Sequence, residues 1–179
     1  MNKENVLYLM MGIPGSGKST YAKQFASRNK IQYISRDEIR FSLLQPTDGY
    51  FDKENEVMKI LREKTNLALE NGSTLVDSTN LSEKSRARLL NYIKTECAAI
   101  VVLFMDTTVS TALERNALRK KREKVPDEEL IKMYSRIEIP CNNEEDINYL
   151  VTIAENNEIK ITKIKEAAVD DLFIKRLAF

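Results

Sequence analysis

Gly12, Gly15 and Gly17 stand within six positions of one another, followed directly by Lys18, Ser19 and Thr20, in a chain with only 5 glycines among 179 residues. Glycine goes where a backbone must turn tightly or approach something a side chain would block. The run Gly12-Ile13-Pro14-Gly15-Ser16-Gly17-Lys18-Ser19 fits the P-loop pattern, in which backbone N–H groups and a helix N-terminus surround a phosphate chain. In that chemistry Lys18 reaches the outer phosphates and Ser19 offers its hydroxyl to Mg2+. The expected ligand of Gly12 through Thr20 is a nucleoside triphosphate, with ATP the default. The loop alone does not say whether the phosphate passes to water, to a small molecule or to a polymer.

Three further segments carry groups that could act on such a ligand. In Ser35-Arg36-Asp37-Glu38-Ile39-Arg40, Asp37 can take a proton from an attacking hydroxyl. Arg40 follows three residues later, so a helix starting near Asp37 puts both on one face. Arginine's planar fork would suit a phosphate on the acceptor. Spacing alone leaves an N-cap aspartate and a surface arginine equally open. Asp77 ends an apolar run, where a carboxylate could support Mg2+, and Thr79 and Asn80 could bond phosphate or sugar. Ser82 reads as a helix cap, and Arg86 as a solvated residue more than an acceptor contact. Finally, Arg115, Arg119 and Arg122 are spaced i, i+4, i+7 in the most basic stretch of the chain. A lid at about 115–140 would bring Arg119, and with it Arg115, over the phosphates, where charge develops during transfer. Lys120, Lys121, Arg122 and Lys124 are left to solvent or nucleic acid.

Elements that position these groups follow from the apolar pattern. Strands are expected at Val6–Met11, Ile31–Ser35, Ser73–Asp77, Ala98–Asp106 and Tyr149–Ile153. Helices are expected from Lys18 to about Arg28, from a cap at Asp52 to Gly72, from Ser82 to about Thr95, after Thr107 or Thr108, and near Pro126. Strands alternating with helices predict an α/β fold: a five-stranded parallel sheet with helices on both faces and a helical lid, in one domain over 1–179. An extra strand and closing helix are expected at about 157–179. In such sheets ligands sit beyond the carboxyl ends of the strands, and all four segments follow strands.

Composition narrows the partners. Lys+Arg number 28 against 27 Asp+Glu, a net charge of +1, so no general basic coat for gripping duplex exists, although a local patch is allowed. No apolar run reaches the ~20 residues of a membrane span. The N-terminus is charged too soon for a secretion signal. Cys97 and Cys141 give neither a disulfide framework nor a metal spacing. With no histidine, zinc and histidine-based acid–base chemistry are argued against. A reducing, cytoplasmic setting is expected.

Taken in order, GIPGSGKST, SRDEIR, DSTNLSEKSR and ERNALR…VPDEELIKMY resemble the kinase domain of phage-type 5′-polynucleotide kinases, within the P-loop kinases related to polynucleotide kinase-phosphatase. The likeness runs from about Val6 to Ile153. It implies ATP-dependent transfer of the γ-phosphate to a 5′-hydroxyl of DNA or RNA, in nucleic-acid repair. By position, Lys18 and Ser19 match the ATP and metal residues and Asp37 the general base. Arg40 matches the arginine that binds the acceptor's 3′-phosphate, and Arg119 the lid arginine on the ATP phosphates. Asp77 is a less direct match, because the register of the acid relative to Thr-Asn varies in this group. No Asp-x-Asp-x-Thr phosphatase segment is present, so the resemblance implies a kinase alone or one part of a split repair system. Two other readings stand beside it. One is a small-molecule, nucleoside or tRNA-directed P-loop kinase. The other is a regulatory or toxin-like ATP-binding protein.

Overall fold

The computed structural model describes residues 5–119, 123–144, 146–167, 169, 173 and 177. Its strands are β1 (Val6–Met11), β2 (Gln32–Ser35), β3 (Thr74–Asp77), β4 (Ala99–Asp106), β5 (Tyr149–Ala154) and β6 (Ile159–Lys163). Its helices are α1 (Lys18–Asn29), α2 (Arg36–Leu43), α3 (Glu54–Asn71), α4 (Glu83–Leu90), α5 (Val109–Ala117) and α6 (Asp127–Ser135). The strands form one sheet in the order β2-β3-β1-β4-β5-β6. The first five are parallel, and β6 runs antiparallel to β5.

The sheet therefore has six strands rather than the five parallel ones expected. The extra strand expected after Asn157 is the sixth. Asn157, at φ 64°, turns the chain back on itself, and Ala154 N–H donates to Glu158 O at 2.9 Å. A turn this short can only return an antiparallel strand, since a parallel one needs a crossover of a dozen residues or more.

β1 lies at the centre, between β3 and β4, and is buried along its whole length. Its alternate side chains enter two clusters. Leu7, Leu9 and Met11 pack with Val57, Leu61 and Leu69 of α3 and Leu89 of α4. Val6, Tyr8 and Met10 pack with Ala22 and Phe25 of α1. This is the pattern of a central parallel strand, apolar on both sides. Leu177 is also buried in the second cluster, and the Phe173 ring lies 6.0 Å from that of Tyr149. Most of the expected closing helix lies outside the described residues.

Two helix limits differ from expectation. Asp52 does not cap α3; its carboxylate accepts from Gly49 N–H at 2.7 Å, and Lys53 holds the cap position. α4 ends at Leu90 instead of near Thr95. The side chain of Asn66, on α3, accepts from Lys94 N–H and donates to Tyr92 O, giving those backbone groups partners outside a helix. Gly72 ends α3, and Ser82 caps α4 in a reciprocal pair with Ser85, both as expected.

Candidate active site

The loop between β1 and α1 lies at the carboxyl end of the central strand, the place where parallel sheets bind ligands. Gly15 and Gly17 have φ of 84° and 92°, a region that side-chain-bearing residues rarely adopt. A Cβ on Gly15 would also collide with the Ala112 carbonyl oxygen of α5. Neighbouring strand ends pin the loop: Gly12 N–H donates to Thr79 O at 3.0 Å, and Thr107 Oγ1 donates to Ser16 O at 3.2 Å. Gly17 opens α1 with no side-chain cap, so the helix's first N–H groups are left for a ligand. The Ser16 hydroxyl is buried and, among the described residues, has no hydrogen-bond partner, a donor that a phosphate oxygen would satisfy.

Lys18 is buried, and its ammonium donates to Ile13 O at 2.7 Å across the same loop. Burial pushes its pKa down to about 8, partly offset by the charges of Asp77 and Asp37 and reinforced by Arg119. Those influences bring all three expected partners into the surroundings of one ammonium. They also set a pH dependence. Above pH 8 the free protein carries Lys18 largely neutral, whereas a triphosphate favours the charged form. ATP binding at pH 8.5 to 9 is therefore expected to take up a proton, and affinity to fall with rising pH by at most about tenfold per unit. Calorimetry in two buffers of different ionisation enthalpy reads the uptake directly; its absence at pH 9 would contradict this account of Lys18.

At the carboxyl end of β3, Asp77 is almost fully buried and accepts from the Tyr33 hydroxyl at 2.9 Å through Oδ2. Burial first, then the Asp77 charge, pushes the Tyr33 phenol well up, so it remains a donor. A Ser19 hydroxyl and one carboxylate, completed by phosphate oxygens and water, are a donor set that suits Mg2+. Thr79 supplies its carbonyl to the phosphate loop. Asn80, at φ 45° and buried, donates its amide to Met10 O at 2.8 Å. The two residues expected on phosphate or sugar thus brace the end of β1 through these groups.

Ser35 caps α2 by accepting from Glu38 N–H, which frees Asp37 from that role. Asp37 and Arg40 share a face as their spacing predicts, and the Arg40 guanidinium donates to Asp37 Oδ1. The Tyr50 hydroxyl donates to the same oxygen at 2.9 Å. Among the described residues both contacts fall on Oδ1, and the Asp37 side chain is 49% exposed. One oxygen is anchored while the group stays open to an incoming hydroxyl. Arg40 itself is only 3% exposed. It donates to Glu54 Oε2 at 2.8 Å and lies 4.3 Å from the Tyr50 ring centre. Glu54 also takes Arg36. Burial pushes the Glu54 carboxyl up, but the bonds and charges of Arg40 and Arg36 outweigh it and hold the group low. Burial, then the Asp37 charge, pushes the Tyr50 phenol up to about 12.

On the other side, α5 ends at Ala117, so Arg119 does not continue the helical face of Arg115 as expected. Arg119 sits past the helix end, its N–H on Asn116 O. Asn116 is fully buried, donates to Val125 O at 2.7 Å and accepts from Val125 N–H at 3.1 Å, closing the base of the basic segment. Arg115 remains beside the phosphate loop, its guanidinium 3.8 Å from where a Gly17 Cβ would stand. Lys120, Lys121 and Arg122 lie outside the described residues.

Arg86 is neither solvated nor an acceptor contact. It is fully buried, pairs through two nitrogens with Glu144 and donates to Asn80 O at 2.9 Å. Removing one partner of a buried ion pair typically costs about 3–5 kcal/mol. Glu144→Ala should therefore lower unfolding stability by about that amount in urea, and the double change Arg86→Met, Glu144→Leu should recover much of it. Sequence reasoning also missed Glu54, Tyr50 and Asn116. Only Glu54 left a signal, as an acid in the first turn of a helix.

A mostly parallel sheet with a glycine-rich phosphate loop after its central strand defines a P-loop kinase-like fold. Residues 7–140 match the AAA_33 family, described as an AAA domain, and the chain belongs to that family. It is 27% identical over 181 residues to the L-seryl-tRNA(Sec) kinase of Methanococcus maripaludis, covering 90% of this chain and 69% of that protein. It is 30% identical over 151 residues to a protein of Autographa californica nuclear polyhedrosis virus described as a bifunctional polynucleotide kinase/RNA ligase, covering 76% of this chain but 21% of the viral one. The shikimate kinase of Baumannia cicadellinicola is 25% identical over 158 residues, covering 80% and 84%. In fold, the chain resembles a chain of the Pnkp1/Rnl/Hen1 RNA repair complex (TM-score 0.63, 20% identity, 96% and 51% covered). It also resembles Chaetomium thermophilum Kti12 in complex with ADP-AlF3 (TM-score 0.64, 20% identity, 85% and 90% covered). The kinases among the sequence relatives support an ATP-dependent phosphotransferase, and their named acceptors differ. Among the described residues no helix is long and apolar enough to cross a membrane.

Proposed function

We propose that the protein is a polynucleotide 5′-hydroxyl kinase, transferring the γ-phosphate of ATP to a 5′-OH end of DNA or RNA in nucleic-acid repair. The observation that carries this reading is the Asp37–Arg40 pair: a half-open carboxylate beside a buried guanidinium, within electrostatic range of Lys18. The viral relative described as a polynucleotide kinase supports it. Gly12, Ile13, Pro14, Gly15, Ser16, Gly17, Ser19 and Thr20 cradle the triphosphate with Lys18. Ser19 and Asp77 would hold Mg2+, which when bound would offset phosphate charge. Asp37 takes the proton of the acceptor hydroxyl as its oxygen bonds to the γ-phosphorus and the bond to the ADP oxygen breaks. Arg119 and Arg115 stabilise the charge that develops. Arg40 meets the acceptor's own phosphate by giving up part of its hold on Asp37 or Tyr50. Free thiols at Cys97 and Cys141 suit a reducing cytoplasm.

One observation favours a second reading, a small-molecule or tRNA-directed kinase. Arg40 already has two carboxylates, so an acceptor without a phosphate would leave it satisfied. Labelled ATP, offered with 5′-OH DNA, 5′-OH RNA, 3′-nucleotides, nucleosides and seryl-tRNA, separates the two. Wild type should prefer a 3′-nucleotide to the matching nucleoside, and Arg40→Ala should erase most of that preference. Equal use of nucleosides and oligonucleotides would favour the second reading.

A further inference from the structure

Phe51 is 69% exposed, an unusual position for a large apolar ring, and it stands beside the candidate base. Its ring centre is 4.8 Å from that of Tyr50, edge to face, while the Tyr50 hydroxyl reaches Asp37. Tyr50 is stiffly held: Arg40 lies against its ring, and the Phe41 ring meets it at 6.2 Å. The segment is also tied at its base, with Lys53 Nζ donating to Leu43 O at 2.7 Å and Gly49 N–H to Asp52. An exposed ring is thus presented on an ordered turn, one residue from a hydroxyl that touches the proton acceptor.

We infer that Phe51, backed by Tyr50, is an aromatic shelf on which the base of the acceptor's 5′-terminal nucleoside stacks, so that its 5′-hydroxyl hangs at Asp37. The inference rests on the polynucleotide reading and adds how the terminal nucleoside is gripped. Stacking on a ring's face is tolerant of base identity, because every base has a π-face. The shelf therefore selects a nucleoside end without selecting its sequence. A non-planar acceptor, such as a polyol, would gain nothing from it.

The test compares two 5′-hydroxyl oligonucleotides that differ only in whether the terminal sugar carries a base or is abasic. For wild type, KM should be lower for the base-bearing end by roughly one to two orders of magnitude, with kcat little changed. Phe51→Ala should raise KM for the base-bearing end to that of the abasic one and leave the abasic one unaltered, while Phe51→Trp should retain the difference. Because Phe51 is exposed, the fold should tolerate both changes, which circular dichroism checks. A Phe51→Ala penalty equal for both ends, or none, overturns the shelf even if transfer is intact. Calorimetric binding of the same pair, blocked as 5′-deoxy ends, keeps the two readings apart. Phe51-dependent preference in binding without any phosphoryl transfer would support the shelf and sink the kinase reading. Loss of both overturns both.

Discussion

Replacing Asp37 with asparagine is expected to slow phosphoryl transfer by about 10²–10⁴-fold while leaving ATP affinity unchanged. The substitution keeps size and shape and removes the ability to take a proton. Its neighbourhood makes the test clean. Arg40 is also held by Glu54, and Tyr50 by its ring contacts, so neither loses its place when the Asp37 charge goes. Single-turnover transfer from labelled ATP, at saturating acceptor, measures the chemical step. A rate within a few-fold of wild type would remove Asp37 from the role of base. Its geometry would then have to be explained by the Arg40 pairing alone.

Lys18→Met should produce opposite effects on activity and stability. Transfer should fall to background and ATP binding weaken strongly, because the charge on the outer phosphates is gone. Yet the ligand-free protein should become more stable at pH 7. The folded-state pKa of Lys18 lies below its usual 10.5, at about 8, because burial disfavours the ammonium. The unfolded chain therefore binds more protons between these values. Stability rises with pH through that window, and below it the charged lysine costs folding on the order of 3 kcal/mol. Methionine removes that cost in a similar volume, although Ile13 O loses its donor. Thermal unfolding without nucleotide, at pH 7 and pH 10, checks both halves. Tm should be higher for the variant at pH 7, and the gap should narrow at pH 10. A variant less stable than wild type at pH 7 would show that the Lys18–Ile13 bond outweighs burial.

How much of this was legible in the sequence depends on the range of the interaction. The phosphate loop was readable because its glycines, lysine and serine are consecutive, and each answers to a local backbone demand. Asp37 and Arg40 were readable as a pair because three residues on a helix put them side by side. Glu54 could not be foreseen as the carboxylate that gathers Arg36 and Arg40, since fourteen or more positions separate them and only the docking of α3 on α2 brings them together. Arg86 and Glu144 are 58 positions apart, and nothing in either segment indicates the other. Asn116 was misleading in a different way. Three arginines at helical spacing invite a longer helix, and one buried amide bonding Val125 accompanies its end at Ala117. The sixth strand was legible as a strand, but its direction depended on the left-handed turn at Asn157.

Ile13 is the one residue of the phosphate loop whose side chain is buried in the small cluster formed with Leu81, Ala112 and Leu130, against which Val125 and Met133 also pack. The loop that grips a triphosphate and the helix that follows the basic segment are therefore parts of one packed body. Ordering the loop around phosphates must favour some positions of α6 over others. Linkage is reciprocal: whatever factor ATP applies to the placement of α6, a molecule resting on α6 applies to ATP affinity. Leu130, buried and more than a hundred positions from Ile13, is where that exchange would be felt. Enlarging or trimming it would alter how strongly ATP and the placement of α6 sense one another, with no change in any group that touches the phosphates.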